Sequence, residues 1–512
     1  MEPHKARKIG FFSALSICFS SVVGIGIFLK NASVGKNVEG DGVSWLITWI
    51  ICGLLAILLA FHFGKIAQVE SNQKLTGLSA WTSGIVDKKN NWFKKIVFTN
   101  YGFFYIPILL VTLSFFTIEF FFEFLKTINP NIKLDISIYV VTSLFLSICL
   151  VLNNYFSMKS GSYISNITSI LKFIPLLLVI FIGIVFWNTH NYNYVDPNNT
   201  NNVITSNGFN EHISFDKSIQ GIMLSIPSVL FAFDSFIGVG VLSKNIKGGQ
   251  KAVSKVIVTA MILVTVVYCL VCLSSIFHYN EQGTTVISVL IDSLPKSAKK
   301  GLTIFISLFI FISAFGTTNS ISMIMLNECR NIVGHKEMIF TNKLASSFSN
   351  KKAALFFSLF LIAFWSLIIF IPSLILKTDA LIDGFSNLVV VCIFLIYGYL
   401  IFIYWKNVHK KTNQKYKTIH SRIYATLVWI TLFGVFLVVF LNIFFVFLNG
   451  ISNWDKASNW GLFLSGQGYG NINNLGVLIF NVVFIISFLV FPFINYKIYN
   501  SKNKNLDKQN IN

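Results

Sequence analysis

Twelve stretches of about twenty predominantly apolar residues, separated by polar loops, run the length of this 512-residue chain. A helix needs about 20 such residues to cross the ~30 Å hydrocarbon core of a bilayer. Only 12% of the residues are charged and the mean hydropathy is +0.69, too little charge to cover a soluble surface of this size. The pattern predicts an all-α polytopic membrane protein. Its spans, numbered 1 to 12, fall at 9–29, 43–63, 96–121, 135–154, 162–187, 219–242, 254–277, 302–326, 353–375, 383–405, 423–447 and 474–496.

The net charge of +20 raises the question of nucleic acid, but position excludes it. The Lys and Arg residues gather in alternate loops, 29 on one side of the predicted spans and 10 on the other, with Lys172 inside span 5. Excess basic residues mark the cytoplasmic side, so both termini are read as cytoplasmic in the cell membrane, with residues 1–8 and 497–512 as short tails. The apolar run at 9–29 is long for a secretory signal and is read as a retained span. The outer loop 188–218 is rich in Asn and Thr and reads as solvated. The inner loop 64–95 is amphipathic around Ala80, Trp81, Ile85 and Val86 and reads as an interfacial helix. The loop 406–422 lies inside, before spans 11 and 12 at 423–496.

No G-x-x-x-x-G-K-[ST] occurs, so the chain carries no ATP-binding loop of that kind. Among the seven cysteines, Cys269 and Cys272 form a C-x-x-C within span 7 with no second Cys/His pair, and read as packing residues. No cofactor or metal site is read, and no H-E-x-x-H or similar cluster suggests an enzyme.

Two spans carry unusual residues. Span 1 contains Ser20-Ser21-Val22-Val23-Gly24-Ile25-Gly26-Ile27-Phe28. Two glycines two apart weaken a helix, and freed backbone groups at that depth need a cavity or protein around them. A small-residue packing face fits the spacing equally well. Span 6 contains Phe231-Ala232-Phe233-Asp234-Ser235-Phe236-Ile237-Gly238-Val239-Gly240. A carboxylate at mid-membrane costs roughly 2.5–3.5 kcal/mol on insertion scales, so Asp234 is read as facing a cavity or a partner. Spans 1 and 6 open two consecutive five-helix blocks, 9–187 and 219–405. That is the sign of a 5+5 inverted repeat with broken helices 1 and 6 and a site at the midplane.

These segments resemble the amino acid–polyamine–organocation superfamily of permeases. Gly24-Ile25-Gly26-Ile27-Phe28 is similar to its helix-1 G-x-G-I-F motif. The stretch Phe231–Phe236 is similar to its helix-6 F-A-F-D-G-F, with Ser235 in place of the usual Gly. Asn153 to Gly183, with Gly161, Lys172 and Leu176, resembles the family's run through helix 5, and Ser313 to Arg330 its helix-8 segment. The resemblance covers residues 8–340. It departs after span 6, where Lys244-Asn245-Ile246-Lys247-Gly248-Gly249 lacks the acid that the family often places there.

The resemblance implies a secondary transporter, not an enzyme, moving an amino acid by alternating access. The substrate carboxylate would meet backbone amides near Gly24, Ile25 and Gly26, and its amino group carbonyls near Phe233, with Val22, Asp234 and Ile237 lining the side-chain pocket. Lys172 is either a snorkelling lysine or a buried ammonium that exchanges a proton with the cycle. With sodium as the coupling ion instead, Thr317 and Thr318 would be its ligands. Glu119 and Glu123 read as a solvated helix end, and His62 as interfacial. A polyamine or organocation carrier and an amino acid exchanger remain as same-class rivals; a channel or a membrane-embedded enzyme is the rival of another class.

The basic asymmetry makes a testable prediction. Single cysteines introduced as His4→Cys and Lys508→Cys should react with an impermeant maleimide only after cells are permeabilised. Reaction of either in intact cells reverses or breaks the assigned topology.

Overall fold

The computed structural model describes residues 10–69, 77–86, 91–185, 211–278, 296–335, 341–409, 422–458 and 472–509, with short pieces at 75, 194–196, 199–204, 208–209, 338 and 460–461. Among the described residues, eleven helices are long and apolar enough to cross a membrane, and a bent pair near the N-terminus, taken as one span, brings the number to twelve. The one small sheet among the described residues is an antiparallel pair, Tyr194–Asp196 with Asn199–Ile204, so the outer loop read as purely solvated carries a short hairpin. The terminal segment 1–8 and most of the loop 406–422 lie outside the described residues.

Span 1 is two helices, Phe11–Val22 and Ile25–Asn37, bent by 40° at Val23–Gly24. The second half runs eight residues past the predicted end at 29. Lys30, Asn31 and Ser33 look like the start of a loop, yet all three are buried. Asn31 donates to Ser275 Oγ (2.8 Å) and accepts from Trp45 Nε1 (3.0 Å). Lys30 forms an ion pair with Asp383 at the start of span 10 and donates to Ser386 Oγ (3.1 Å). Lys30 lies in the protein interior, because its polar partners come from other spans.

Span 3 joins Asn91–Thr99, a π-helical turn at Asn100–Tyr105 and Ile106–Ile128. Pro107 explains the turn: it has no N–H to give to the carbonyl of Phe103, and its ring crowds that carbonyl. The freed oxygen accepts from Trp365 Nε1 of span 9 (2.6 Å). Span 6 is an α-helix over Phe215–Phe233, then breaks at Asp234 and Ser235 before a 3-10 segment, Phe236–Asn245. Ser235 has φ +70°, a left-handed conformation costing about 1–2 kcal/mol for a residue with a Cβ. This is the position where the related motif has glycine.

Span 5 is Met158–Leu171 and Phe173–Val185 with Lys172 between, and span 8 is a 39-residue helix, Lys296–Gly334. Span 2 is Gly42–Ile66, span 4 Ile136–Phe156, span 7 Gly249–Phe277 and span 9 Asn350–Leu376. Span 10 is Ala380–His409, span 11 Arg422–Ser452 and span 12 Asn474–Gln509, which continues through residues read as the tail. Spans 3 and 10 are the most enclosed, with 78% and 72% of their apolar windows buried, against 28% for spans 11 and 12. Spans 3, 6 and 10 therefore lie deepest in the bundle, with 67% for span 6.

Two segments expected at the membrane interface pack against protein. In the inner-loop helix, Gly77–Ile85, the side chains of Leu78, Ser79, Trp81 and Ile85 are buried. His62 is likewise buried, with Nε2 3.0 Å from Thr431 Oγ1 and Nδ1 3.4 Å from Tyr424 Oη of span 11.

Removing one partner of a buried ion pair costs about 3–5 kcal/mol, because the other charge is left uncompensated. Asp383→Ala should therefore lower the thermal midpoint in detergent, followed by tryptophan fluorescence. The double variant Lys30→Met/Asp383→Leu should recover most of the loss; if it melts as low as the single variant, stranded charge is not the cause.

Candidate substrate site at the breaks of spans 1 and 6

The two interrupted helices pack break to break, and glycine makes this possible. A Cβ built at Gly26 would lie 2.5 Å from Ala232 Cα, and one at Gly24 would lie 2.2 Å from Thr317 Oγ1. Any side chain at either position would drive span 1 away from span 6 or span 8. Tyr268 of span 7 holds the pair: its hydroxyl lies 3.2 Å from the carbonyl of Val22 and 3.1 Å from that of Ala232. One phenol thus bridges the C-terminal ends of both first halves, where helices leave carbonyls without intrahelical donors.

Between the breaks is a small cavity of about 20 Å³, room for about one water. Val22, Ile25, Gly26 and Asp234 line it, together with Phe231 and Thr317. The second half of span 1 starts at Ile25, and its N-cap, Gly24, brings no side-chain hydrogen bond. The first amides of that helix therefore point their N–H groups and the positive dipole end at the cavity, an arrangement suited to a carboxylate. Phe233 and Ile237 are buried but lie outside this lining, and so does Gly24. The Phe233 ring packs on Trp49 (5.9 Å) and Tyr268 (5.1 Å), because residues three apart on the helix face one side while Phe231 and Asp234 face the other.

Asp234 is 3% exposed. One carboxylate oxygen accepts from Tyr105 Oη of the π turn, and the other has no hydrogen-bond partner among the described residues. Lys172 does not snorkel: it is 1% exposed, and its Nζ donates to the carbonyl of Ser20 (2.5 Å) and to Thr317 Oγ1 (2.8 Å). The ammonium thus joins spans 1, 5 and 8 next to the break. Thr317 belongs to the site. Thr318 does not: its hydroxyl lies 2.8 Å from Thr117 Oγ1 of span 3.

Four participants were missed from the sequence: Tyr105, Tyr268, Thr317 as a partner of Lys172, and the Lys30–Asp383 pair. The tyrosines carry no local signal, since aromatic residues abound in every span. Glu119 was read as solvated but is 1% exposed, with neither carboxylate oxygen hydrogen-bonded among the described residues, and it lies near Lys30 and Asp383.

Residues 9–466 match the sequence profile described as "Amino acid permease". The chain is similar to the b(0,+)-type amino acid transporter 1 of Homo sapiens, at 24% identity over 52% of this chain and 50% of that protein. It is similar to the serine/threonine exchanger SteT of Bacillus subtilis, at 23% over 66% of this chain and 71% of that protein. It also resembles the cystine/glutamate transporter of Homo sapiens, at 19% over 61% and 58%. The chain spans about half the length of the b(0,+)-type relatives it matches.

The close approach at Gly26 can be tested directly. Gly26→Leu should abolish substrate uptake while the protein still reaches the membrane. Gly301→Leu, where nothing lies within 4 Å of a Cβ, should leave uptake within about twofold of the parent, an order-of-magnitude bound for a surface substitution. Equal uptake by the two variants would remove the break from the site.

Proposed function

This chain belongs to the amino acid permease family, and from that premise we propose that it is a secondary transporter carrying an amino acid across the cell membrane by alternating access. One observation carries the reading most directly. The start of the second half of span 1 at Ile25–Gly26, where helix amides lack intrahelical acceptors, meets the carboxyl-terminal end of the first half of span 6 across a small cavity. An α-amino acid presents both complements, a carboxylate for the amides and an ammonium for the carbonyls. The open oxygen of Asp234 favours a substrate side chain that brings a hydrogen-bond donor or a positive charge.

The equivalent places of spans 1 and 6 in the blocks 9–187 and 219–405 support the inverted-repeat reading. In that architecture one repeat rocks against the other about a fixed midplane site. At about 20 Å³ the cavity is too small for an amino acid, so binding requires that one side open. The excess of basic residues in alternate loops supports a topology with both termini inside. Exchange of one amino acid for another is the second reading, favoured by the relative described as a serine/threonine exchanger.

We assign coupling to protons and to Lys172. With its ammonium on the Ser20 carbonyl and Thr317 Oγ1, the charged form clasps span 1 to span 8. The neutral form keeps two donors but loses the charge-assisted bond, the stronger kind. A proton therefore weights the two conformations differently, which is what coupling requires. The ammonium also takes the hydroxyl that sodium would use, and repels a cation there.

Purified protein in proteoliposomes should take up one or a few of the twenty amino acids, faster with an inward proton gradient. Lys172→Ala should keep substrate binding or exchange and lose gradient-driven accumulation. Undiminished accumulation in the variant would reject the coupling role. Wild-type uptake that needs sodium and ignores pH would reject protons and make Thr317 the residue to test. Uptake driven only by amino acid inside the vesicles would establish the exchange reading.

A further inference from the structure

The run after span 6, Lys244 to Gly249, contains no acid. The buried helix Gly77–Ile85 packs against the end of span 6 before it. On one side its Trp81 packs against span 6, where a Cβ at Gly240 would lie 2.4 Å from the indole ring, and against Phe63 of span 2 at 6.1 Å between ring centres. On the other side its Ser79 hydroxyl donates to a carboxylate oxygen of Glu328, in the last turns of span 8. Glu328 is 2% exposed, and its second oxygen accepts from Asn331 Nδ2 at 3.0 Å. Span 8 is anchored here to span 3, with a Cβ at Gly102 only 2.1 Å from Ile332 Cδ1.

We propose that Glu328 is the latch of the inner gate: through Ser79 it fastens the Gly77–Ile85 helix to span 8 and so closes the cytoplasmic way out of the substrate site. The helix follows span 2 in the chain and packs on span 6, so it moves with them. Glu328 moves with span 8. Opening between these two groups must break the Ser79–Glu328 hydrogen bond, a polar contact that crosses the seam. A carboxylate suits a two-position latch. Closed, one oxygen holds the Ser79 donor in a dry site while the other keeps Asn331 of its own helix; open, water takes the place of Ser79. Half-open, the first oxygen would have no donor, and a buried acceptor without one is strongly unfavourable. The latch also borders the site: Tyr101 stacks on Tyr105 at 5.2 Å, and Tyr105 donates to Asp234.

The proposal rests on the alternating-access reading, and its test uses no substrate. Cys18 is a native reporter: it is fully buried on the inner half of span 1, with its thiol 3.8 Å from the Phe236 carbonyl of span 6. In inside-out vesicles, the full chain with Cys18 as its only cysteine should react slowly with an impermeant maleimide. Ser79→Ala and Glu328→Ala should each raise that rate about tenfold, about 1.4 kcal/mol of closing free energy. Glu328→Gln, which keeps an acceptor for Ser79, should stay nearer the parent. A matching chain with only Cys52, fully buried in span 2, should stay unreactive throughout. Parent-rate labelling of Cys18 in both alanine variants overturns the latch, and so does equal unmasking of Cys52, which would mean general loosening. A Ser33→Cys reporter in the outer pocket, labelled from outside, separates the two ideas. Slower labelling there as Cys18 speeds up supports latch and alternating access together; faster Cys18 with an unchanged outer reporter supports the latch and counts against alternating access.

Discussion

The ammonium of Lys172 sits where three spans meet, and the arrangement of the centre depends on it. Breaking span 1 at Val23–Gly24 frees carbonyls at the end of Phe11–Val22, and in a bilayer interior such groups must find partners within the protein. Lys172 supplies one to Ser20, and with its remaining donors holds Thr317 of span 8. Thr317 is the residue against which Gly24 packs, so closely that no side chain fits. The charge therefore satisfies the backbone that the break exposes and fixes the spacing between spans 1, 5 and 8.

Neighbouring elements repeat this logic with neutral groups. Tyr268 bridges the carbonyls of Val22 and Ala232, so the broken ends of spans 1 and 6 are joined through span 7. Pro107 frees the carbonyl of Phe103, and Trp365 of span 9 takes it. The resulting π turn carries Tyr105, whose hydroxyl meets Asp234. Each irregularity in a helix is matched by a donor from another helix, as the low-dielectric surroundings demand, and these matched irregularities converge on the cavity.

Buried charge is distributed unevenly above and below that cavity. Toward one end Lys30 and Asp383 form an ion pair over the rings of Phe116 and Phe231, with Nζ 5.3 and 4.7 Å from the ring centres, and Glu119 lies near. Toward the other end Glu328 accepts from two neutral donors, Ser79 and Asn331. An ion pair resists separation in a dry interior, because both charges are stranded at once; a carboxylate with neutral donors exchanges them for water more readily. The two ends are thus built from different chemistry.

Hydropathy alone located the spans, since apolar length is a local property that a bilayer reads directly. The glycines of span 1 and the Gly-rich stretch around Asp234 marked both breaks, because weak helix formers and a mid-membrane carboxylate stand out against an apolar background. Val22, Ile25, Gly26 and Asp234 line the cavity between the breaks, while Gly24, Phe233 and Ile237 lie outside its lining, because which face of a short segment meets the cavity depends on how neighbouring helices pack. Lys30, Glu119 and His62 were placed too near water, since a polar residue near the end of an apolar run looks the same in sequence whether or not a partner awaits it. Those partners lie far along the chain, Asp383 for Lys30 and Thr431 for His62. The amphipathic helix 77–85 was visible as a pattern, but its burial was decided by Trp81 finding Gly240 and Ser79 finding Glu328. Local composition determined where the chain crosses and where it breaks; only the packing of distant segments decided which polar groups face each other.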